Sequence, residues 1–249
     1  MERAPEVIVT VDVGLFTLVE GALAVGLIRR GAPPYAGVEA LPGGYVHPEE
    51  DGSTHAAALR VLDAKVGLEP SYLEQLYTFS GLVRDPRGWS ISVAYYALVP
   101  SEQLAPAVEA GELRLVAVDE APKLPFDHDE ILAIAVHRLR AKSTYSTLPA
   151  FLLAPSFTLS ELQEVYEQVI GQSLDRTTFR RQMLDLGAIE PTGQRRRTGA
   201  SRPAELRPPQ PIELGGAAGP GSSALTRGLD RAEVQHLAPE GGAVEGLPD

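Results

Sequence analysis

The spacing of apolar residues changes once along this chain, near Lys142, and that change limits what it can fold into. Before it, short β-branched runs alternate with stretches of helical period. Residues 7–13 predict a strand, and residues 15–18 and 23–28, separated by Glu20-Gly21, predict a hairpin. Leu41-Pro42-Gly43-Gly44-Tyr45-Val46 predicts a turn feeding a short strand. Ala58, Leu59, Leu62 and Val66 recur at helical spacing over residues 54–66, with Gly67 as the stop. Residues 76–82 and 90–99 predict strands around the turn Asp85-Pro86-Arg87-Gly88. Ile131, Ile134, Ala135 and Leu139 place a helix over residues 129–142. Mixed elements of this kind make an α+β domain, assigned to residues 1–144.

After Lys142 the pattern becomes helices with short breaks. Residues 148–153 predict a short apolar helix that stops near Pro155. Ser160-Glu161-Leu162-Gln163 has the form of a capping box, and the helix behind it runs to Ile170 with Leu162, Val165, Tyr166 and Val169 inward. Gly171 ends it. Asp175 predicts the cap of a second helix over residues 176–186, closed by Gly187, with Phe179, Met183 and Leu186 inward. Two capped helices across a short turn have helix-turn-helix spacing, so residues 145–207 form a second domain. From Pro208 to Asp249, Gly and Pro supply 14 of 42 residues and large apolar side chains are sparse, which predicts a disordered tail over 208–249.

Charge separates the two domains. The chain carries a net −11, which repels nucleic acid as a whole. Between Asp175 and Arg207, however, eight arginines face only four acidic residues. Arg176 and Arg180 share a helix face, Arg181 points away from Phe179, and Thr177 lies among them. Arg195-Arg196-Arg197 lies between short apolar segments, as the basic tip of a winged-helix hairpin would, with Arg202 beyond it. Arginine forks suit phosphate and guanine, so these residues are the candidate contacts to a double-stranded DNA operator. The simpler alternative is a solvated arginine-rich surface.

Other functions are excluded or disfavoured. With no cysteine, thiolate metal sites, disulfides and cysteine nucleophiles are impossible. No apolar run is long enough to span a membrane, and residues 1–6 lack the order of a signal peptide, so a cytoplasmic protein is expected.

The stretch from Gly44 to Gly67-Leu68 resembles the Nudix motif: Gly44 is its glycine, Arg60 its arginine and Leu62 its apolar position. It is two residues longer than the pattern, around Glu50-Asp51-Gly52. The glutamate after the motif arginine is Val61, and the paired glutamates are Ala64 and Lys65. In the family those carboxylates hold the divalent cations that drive hydrolysis, and hard cations need oxygen ligands. The resemblance therefore implies a Nudix α/β/α sandwich without a metal, a cofactor or catalytic residues.

Val9-Thr10-Val11-Asp12, Arg29-Arg30, Pro33-Pro34-Tyr35, Arg84-Asp85-Pro86-Arg87-Gly88 and Phe126-Asp127-His128, followed by residues 157–166 and Phe179-Arg180-Arg181, resemble the Nudix-related transcriptional regulators called NrtR. The resemblance covers about residues 7–207 and implies a winged helix behind the Nudix domain. It also implies a homodimeric repressor of NAD-related genes that senses ADP-ribose or a related nucleotide. On that footing Arg30, Arg84 and Arg87 pair with diphosphate oxygens, with Gly44 and Glu50 completing the ligand-binding set. Tyr35 and Phe79 are candidates to stack on adenine, with core positions as the simpler assignment. Trp89 is given packing or a pocket rim. His128, with Asp127 and Asp129, has the chemistry of a metal pair or a general base, or it caps the helix beginning near Asp129, and the cap is preferred. Arg60, without its glutamates, is expected to pair with Asp63 or a loop acid. The alternative function is a divergent Nudix hydrolase acting on ADP-ribose or another nucleoside diphosphate derivative.

Overall fold

In the computed structural model of this chain, residues 7–185 are described, together with the backbone of Glu190–Pro191 and Glu205–Arg207. Strand β1, Ile8–Val19, is the hub of the larger sheet. The sequence predicted two strands here, broken at Gly14, but the strand runs through. Gly14 instead leaves space: a Cβ there would lie 3.1 Å from the Phe16 ring and 3.6 Å from Ala135.

One flank of β1 pairs in parallel with β6, Ser90–Leu98, which pairs antiparallel with the edge strand β5, Tyr72–Gly81. The other flank is divided. Its C-terminal half forms a hairpin with β2, Ala22–Arg29, across Glu20-Gly21, where both residues have positive φ as a tight primed turn requires. Its N-terminal half pairs with β4, Gly43–Tyr45. Strand β2 carries β3, Glu39–Ala40, and β7, Arg114–Ala117.

The strand period then sorts side chains to two faces. Val11, Val13 and Leu15 face α1, Thr54–Val66, whose Ala57, Ala58, Val61, Leu62 and Val66 are buried against them. Helix α2, Ser101–Glu109, adds Leu104 and Ala107 to that core. Phe16 faces the opposite side, where α3, His128–Ser143, buries Ile131, Leu132, Ala135 and Leu139. The expected sandwich of helices around a mixed sheet is present.

Beyond α3, residues Leu148–Leu152 form a 3-10 turn, followed by β8, Phe157–Thr158, α4, Leu159–Ile170, and α5, Arg176–Asp185. Helix α4 starts two residues before the expected position. Thr158, not Ser160, is its cap: Thr158 Oγ1 accepts from the Glu161 N–H at 3.1 Å, and Glu161 accepts from the Thr158 N–H at 2.7 Å. Its inward stripe is as expected, yet it serves two cores. Leu162 and Tyr166 pack with Phe179, Met183, Ala150 and Phe157. Val165 and Val169 join the α3 side of the larger sheet. Asp175 caps α5 by accepting from the Thr178 N–H at 2.8 Å. Strands β9, Glu190–Pro191, and β10, Glu205–Arg207, complete a three-stranded sheet ordered β8-β10-β9, which is the wing. The disordered-tail reading falls on residues outside those described. No described helix is long and apolar enough to cross a membrane.

Candidate functional site

The Leu41-to-Tyr45 turn forms one wall of a cavity of about 320 Å³. Two glycines are needed there by close approach. A Cβ on Gly43 would sit 2.0 Å from Asp12 Oδ1, and one on Gly44 would sit 2.9 Å from Val61 Cγ2. The Val13 N–H ties the turn to β1 by donating to the Pro42 carbonyl at 2.8 Å.

Asp12 lies on the floor, buried, and is the one charged residue of β1. It accepts from Ser92 Oγ at 2.5 Å and meets His128 Nε2 at 3.3 Å and an Arg84 nitrogen at 3.7 Å. Burial alone would raise its proton affinity, but His128, Ser92 and Arg84 outweigh it and hold the carboxyl below the usual range. His128 Nδ1 accepts from the Leu41 N–H at 3.1 Å, so the ring proton sits on Nε2 and points at Asp12. The histidine thus pins the glycine turn to the start of α3. It is not the helix cap expected from the sequence, because its ring faces the cavity floor rather than the first turn of α3.

Arg84 is also held on this floor. It forks onto Asp127, and its third arm donates to Ser90 Oγ at 3.1 Å. Arg87 forks onto Asp85, which burial would raise but Arg87 keeps low. Arg30 differs. Its Nε donates to the Pro34 carbonyl at 2.9 Å, and it forms no salt bridge among the described residues. Burial, and then the nearby Arg87, push its proton affinity below the usual guanidinium range. Both guanidiniums sit by Phe126, with Arg30 over the ring at 4.8 Å.

The helix wall carries the positions where the resemblance puts glutamates elsewhere. Val61, Ala64 and Lys65 line the cavity, as does Arg60. Arg60 forks onto the loop acid Asp51 at 2.7 Å for each arm and donates to the Tyr45 carbonyl. That settles its pairing in favour of the loop acid over Asp63. The hydrogen bonds from Arg60 pull Asp51 down to about 2. Lys65 forms no salt bridge among the described residues.

Of the expected ligand set, Arg30, Arg84, Arg87 and Gly44 line the cavity. Glu50 does not, and instead touches the lining residue His47 at 3.2 Å. Phe79 is buried in the core, while Tyr35 is 43% exposed and meets Phe126 edge-on. Trp89 is 44% exposed and outside the lining. Sequence reasoning gave Asp12 and Phe126 no individual role, and placed Asp127 with His128 rather than with Arg84. A lone acid within a largely apolar strand was the available signal for Asp12.

On α5, Phe179 and Met183 face inward, leaving Arg176, Thr177, Arg180 and Arg181 exposed together. Arg195, Arg196, Arg197 and Arg202 lie outside the described residues.

Residues 9–135 match the NUDIX domain family, and residues 149–206 match the NrtR DNA-binding winged helix domain. Over 205 residues the chain is 40% identical to the Acinetobacter baylyi protein named "ADPR responsive transcriptional repressor NtrR", covering 81% of this chain and 82% of that one. The chain belongs to the NrtR family. Its fold is similar to the crystal structure of Shewanella oneidensis NrtR complexed with a 27mer DNA, with a TM-score of 0.76 and 35% identity over 82% of this chain and 94% of that one. A shorter likeness, 35% identical over 43% of this chain and 62% of the relative, is to a Methanocaldococcus jannaschii "ADP-ribose pyrophosphatase". NrtR-family membership thus joins a Nudix fold to a winged helix in one chain.

Proposed function

We propose that this NrtR-family protein is a transcriptional repressor of NAD-related genes whose Nudix cavity binds ADP-ribose or a close nucleotide. It grips a palindromic operator as a homodimer through α5 and the wing. Residues 1–144 are the sensing domain, 145–207 the DNA-binding domain and 208–249 a tail. The observation that carries this reading is the charge of the cavity: among the described residues Arg30 and Lys65 form no salt bridge, and Arg87 stands beside Arg30. Guanidinium forks and an ammonium suit a diphosphate.

The donor set does not fit a hydrolytic metal. Helix α1 presents two aliphatic side chains and an ammonium, and among the described residues no group of three or more His, Cys, Asp or Glu is placed to hold a metal ion. An ammonium repels a divalent cation and contributes no lone pair while protonated. The protein is therefore a sensor and not an enzyme.

Both Arg84 and Arg87 fork onto an acid, but Arg84 is 7% exposed and Arg87 30%, so diphosphate oxygens fall to Arg30 and Arg87 while Arg84 shapes the floor. Gly44 admits the ligand to the turn, and Glu50 acts at one remove through His47. Arg176, Thr177, Arg180 and Arg181 contact the major groove and its edges, and Arg195, Arg196, Arg197 and Arg202 contact the backbone. Substituting Arg180 and Arg181 by alanine tests this. A duplex from upstream of the protein's own gene should bind at least about tenfold more weakly, with a shallower salt dependence. Unchanged binding would remove α5 from the interface. The hydrolase alternative is tested by incubating protein with ADP-ribose and magnesium or manganese. Turnover near about 1 per second would overturn the non-enzyme assignment.

A further inference from the structure

Phe126 is close to both arginines assigned to the ligand. The Arg30 guanidinium carbon is 4.8 Å from its ring centroid and that of Arg87 is 5.8 Å away. Tyr35 meets the same ring edge-on, with centroids 5.0 Å apart and planes at 82°. Phe126 and Tyr35 both have positive φ, 58° and 63°. Side chains with a Cβ rarely adopt that backbone region, and it persists only where the surroundings over-determine it. Here the strained pair brings two aromatic rings together edge-on, with Phe126 lining the cavity.

Two guanidiniums at one ring repel each other, and Arg30 has no salt bridge among the described residues to offset this. An aromatic face attracts a cation electrostatically, more strongly where water is excluded. Asp12 and Asp85 attract Arg30 only from beyond salt-bridge distance, and the ring adds a cation–π contact at 4.8 Å. The next two residues complete the same turn: Asp127 takes the fork of Arg84, and His128 holds the Leu41 N–H.

We propose that Phe126 is a positioning residue whose ring holds the Arg30 and Arg87 guanidiniums side by side before ligand arrives, presenting a ready-made receptor for a diphosphate. This rests on the reading that the cavity takes a diphosphate-containing nucleotide. Preorganisation lowers the cost of binding, because the arginine rotamers are already chosen. Phe126 itself touches the arginines and not the phosphates.

The test compares the full-length protein with its Phe126→Leu and Phe126→Tyr variants by titration calorimetry. Each is titrated with ADP-ribose and, separately, with inorganic diphosphate, both in chelator. Loss of the ring should weaken both ligands by about tenfold, while tyrosine, which keeps the π face, should bind within about twofold of the original protein. Operator affinity without ligand should be the same in all three, which shows that the variants fold. Equal affinity of the leucine variant, or a tyrosine variant as weak as leucine, overturns the proposal. If the unsubstituted protein binds diphosphate but not ADP-ribose, the nucleotide reading fails, and the diphosphate comparison still decides the role of Phe126. If it binds neither, both readings fall.

Discussion

Arg84 and Asp127, 43 positions apart, meet in a two-pronged ion pair with Nε to Oδ2 at 2.7 Å and Nη2 to Oδ1 at 2.8 Å. The Arg84 side chain is 7% exposed and that of Asp127 is 14% exposed. Removing Asp127 leaves a desolvated guanidinium that has lost its fork and, among the described residues, keeps only Asp12 as a salt-bridge partner, at 3.7 Å. Asp127→Ala should therefore cost about 3–5 kcal/mol in urea denaturation. Replacing both partners with apolar residues of similar size, Arg84→Met with Asp127→Leu, should cost much less than the two single changes added. A fully additive cycle would show that the fork contributes nothing as a pair.

The turn glycines make a separable claim about space. A Cβ on Gly44 meets Val61 Cγ2, a side-chain methyl and not backbone, at 2.9 Å. Gly44→Ala should lower stability by about 1–3 kcal/mol, and adding Val61→Ala should return part of that loss by removing the clashing methyl. Gly43→Ala has no such remedy, since the clash is with Asp12 at 2.0 Å. Thermal melts of the three variants check both statements. No recovery in the Gly44→Ala, Val61→Ala pair would contradict the close packing of the turn on α1.

Most elements were legible from period alone. Helix α1 has the bounds expected, because Ser53 caps it and Gly67 takes the left-handed conformation that ends it. Helix α2 and strand β7 were not seen. The first carries Pro106 in its interior and the second is four residues long, so neither offers a sustained pattern. Strand β5 begins at Tyr72, but its register shifts between Gln75 and Tyr77, which breaks the alternation a sequence reading depends on. At the site, the arginines came from the family resemblance, whereas Asp12, Asp127 and Phe126 gain their structural meaning only from long-range partners. Strand β1 and the turn before α3 bring those partners together, and no local spacing records it.

The α4 cap distinguishes two neighbouring residues. Thr158 and Glu161 satisfy each other's backbone N–H groups, while Ser160 lies within the first turn. Thr158→Ala should cost about 1 kcal/mol and Ser160→Ala a few tenths. Chemical denaturation of the two variants compares them directly. The reverse order would restore Ser160 as the cap.

Acid should expose the Asp51–Arg60 pair. Asp51 titrates at about 2 in the folded protein, against 3.8 ordinarily, because Arg60 hydrogen-bonds its carboxylate. Between those values the unfolded chain binds more protons than the folded one, so stability rises with pH there. The stabilisation is present above about pH 4 and is lost as pH falls towards about 2. Asp51→Asn should flatten that part of the stability profile. An unchanged acid limb would show that the pair does not persist in solution.

Binding of one ligand must alter binding of the other if a single protein both senses a nucleotide and represses. Helix α3 begins at the cavity with His128 and packs beside α4, whose Val165 and Val169 share its core. A contiguous body therefore joins the cavity to the DNA-binding helices. The direct measurement is fluorescence anisotropy of an upstream duplex with the full-length protein, repeated across a series of ADP-ribose concentrations in chelator. The expected result is operator affinity falling by about 5–150-fold at saturation, reaching a plateau, and with no hydrolysis of the nucleotide. Operator affinity that stays constant while ADP-ribose demonstrably occupies the protein would contradict the coupling at the centre of this function.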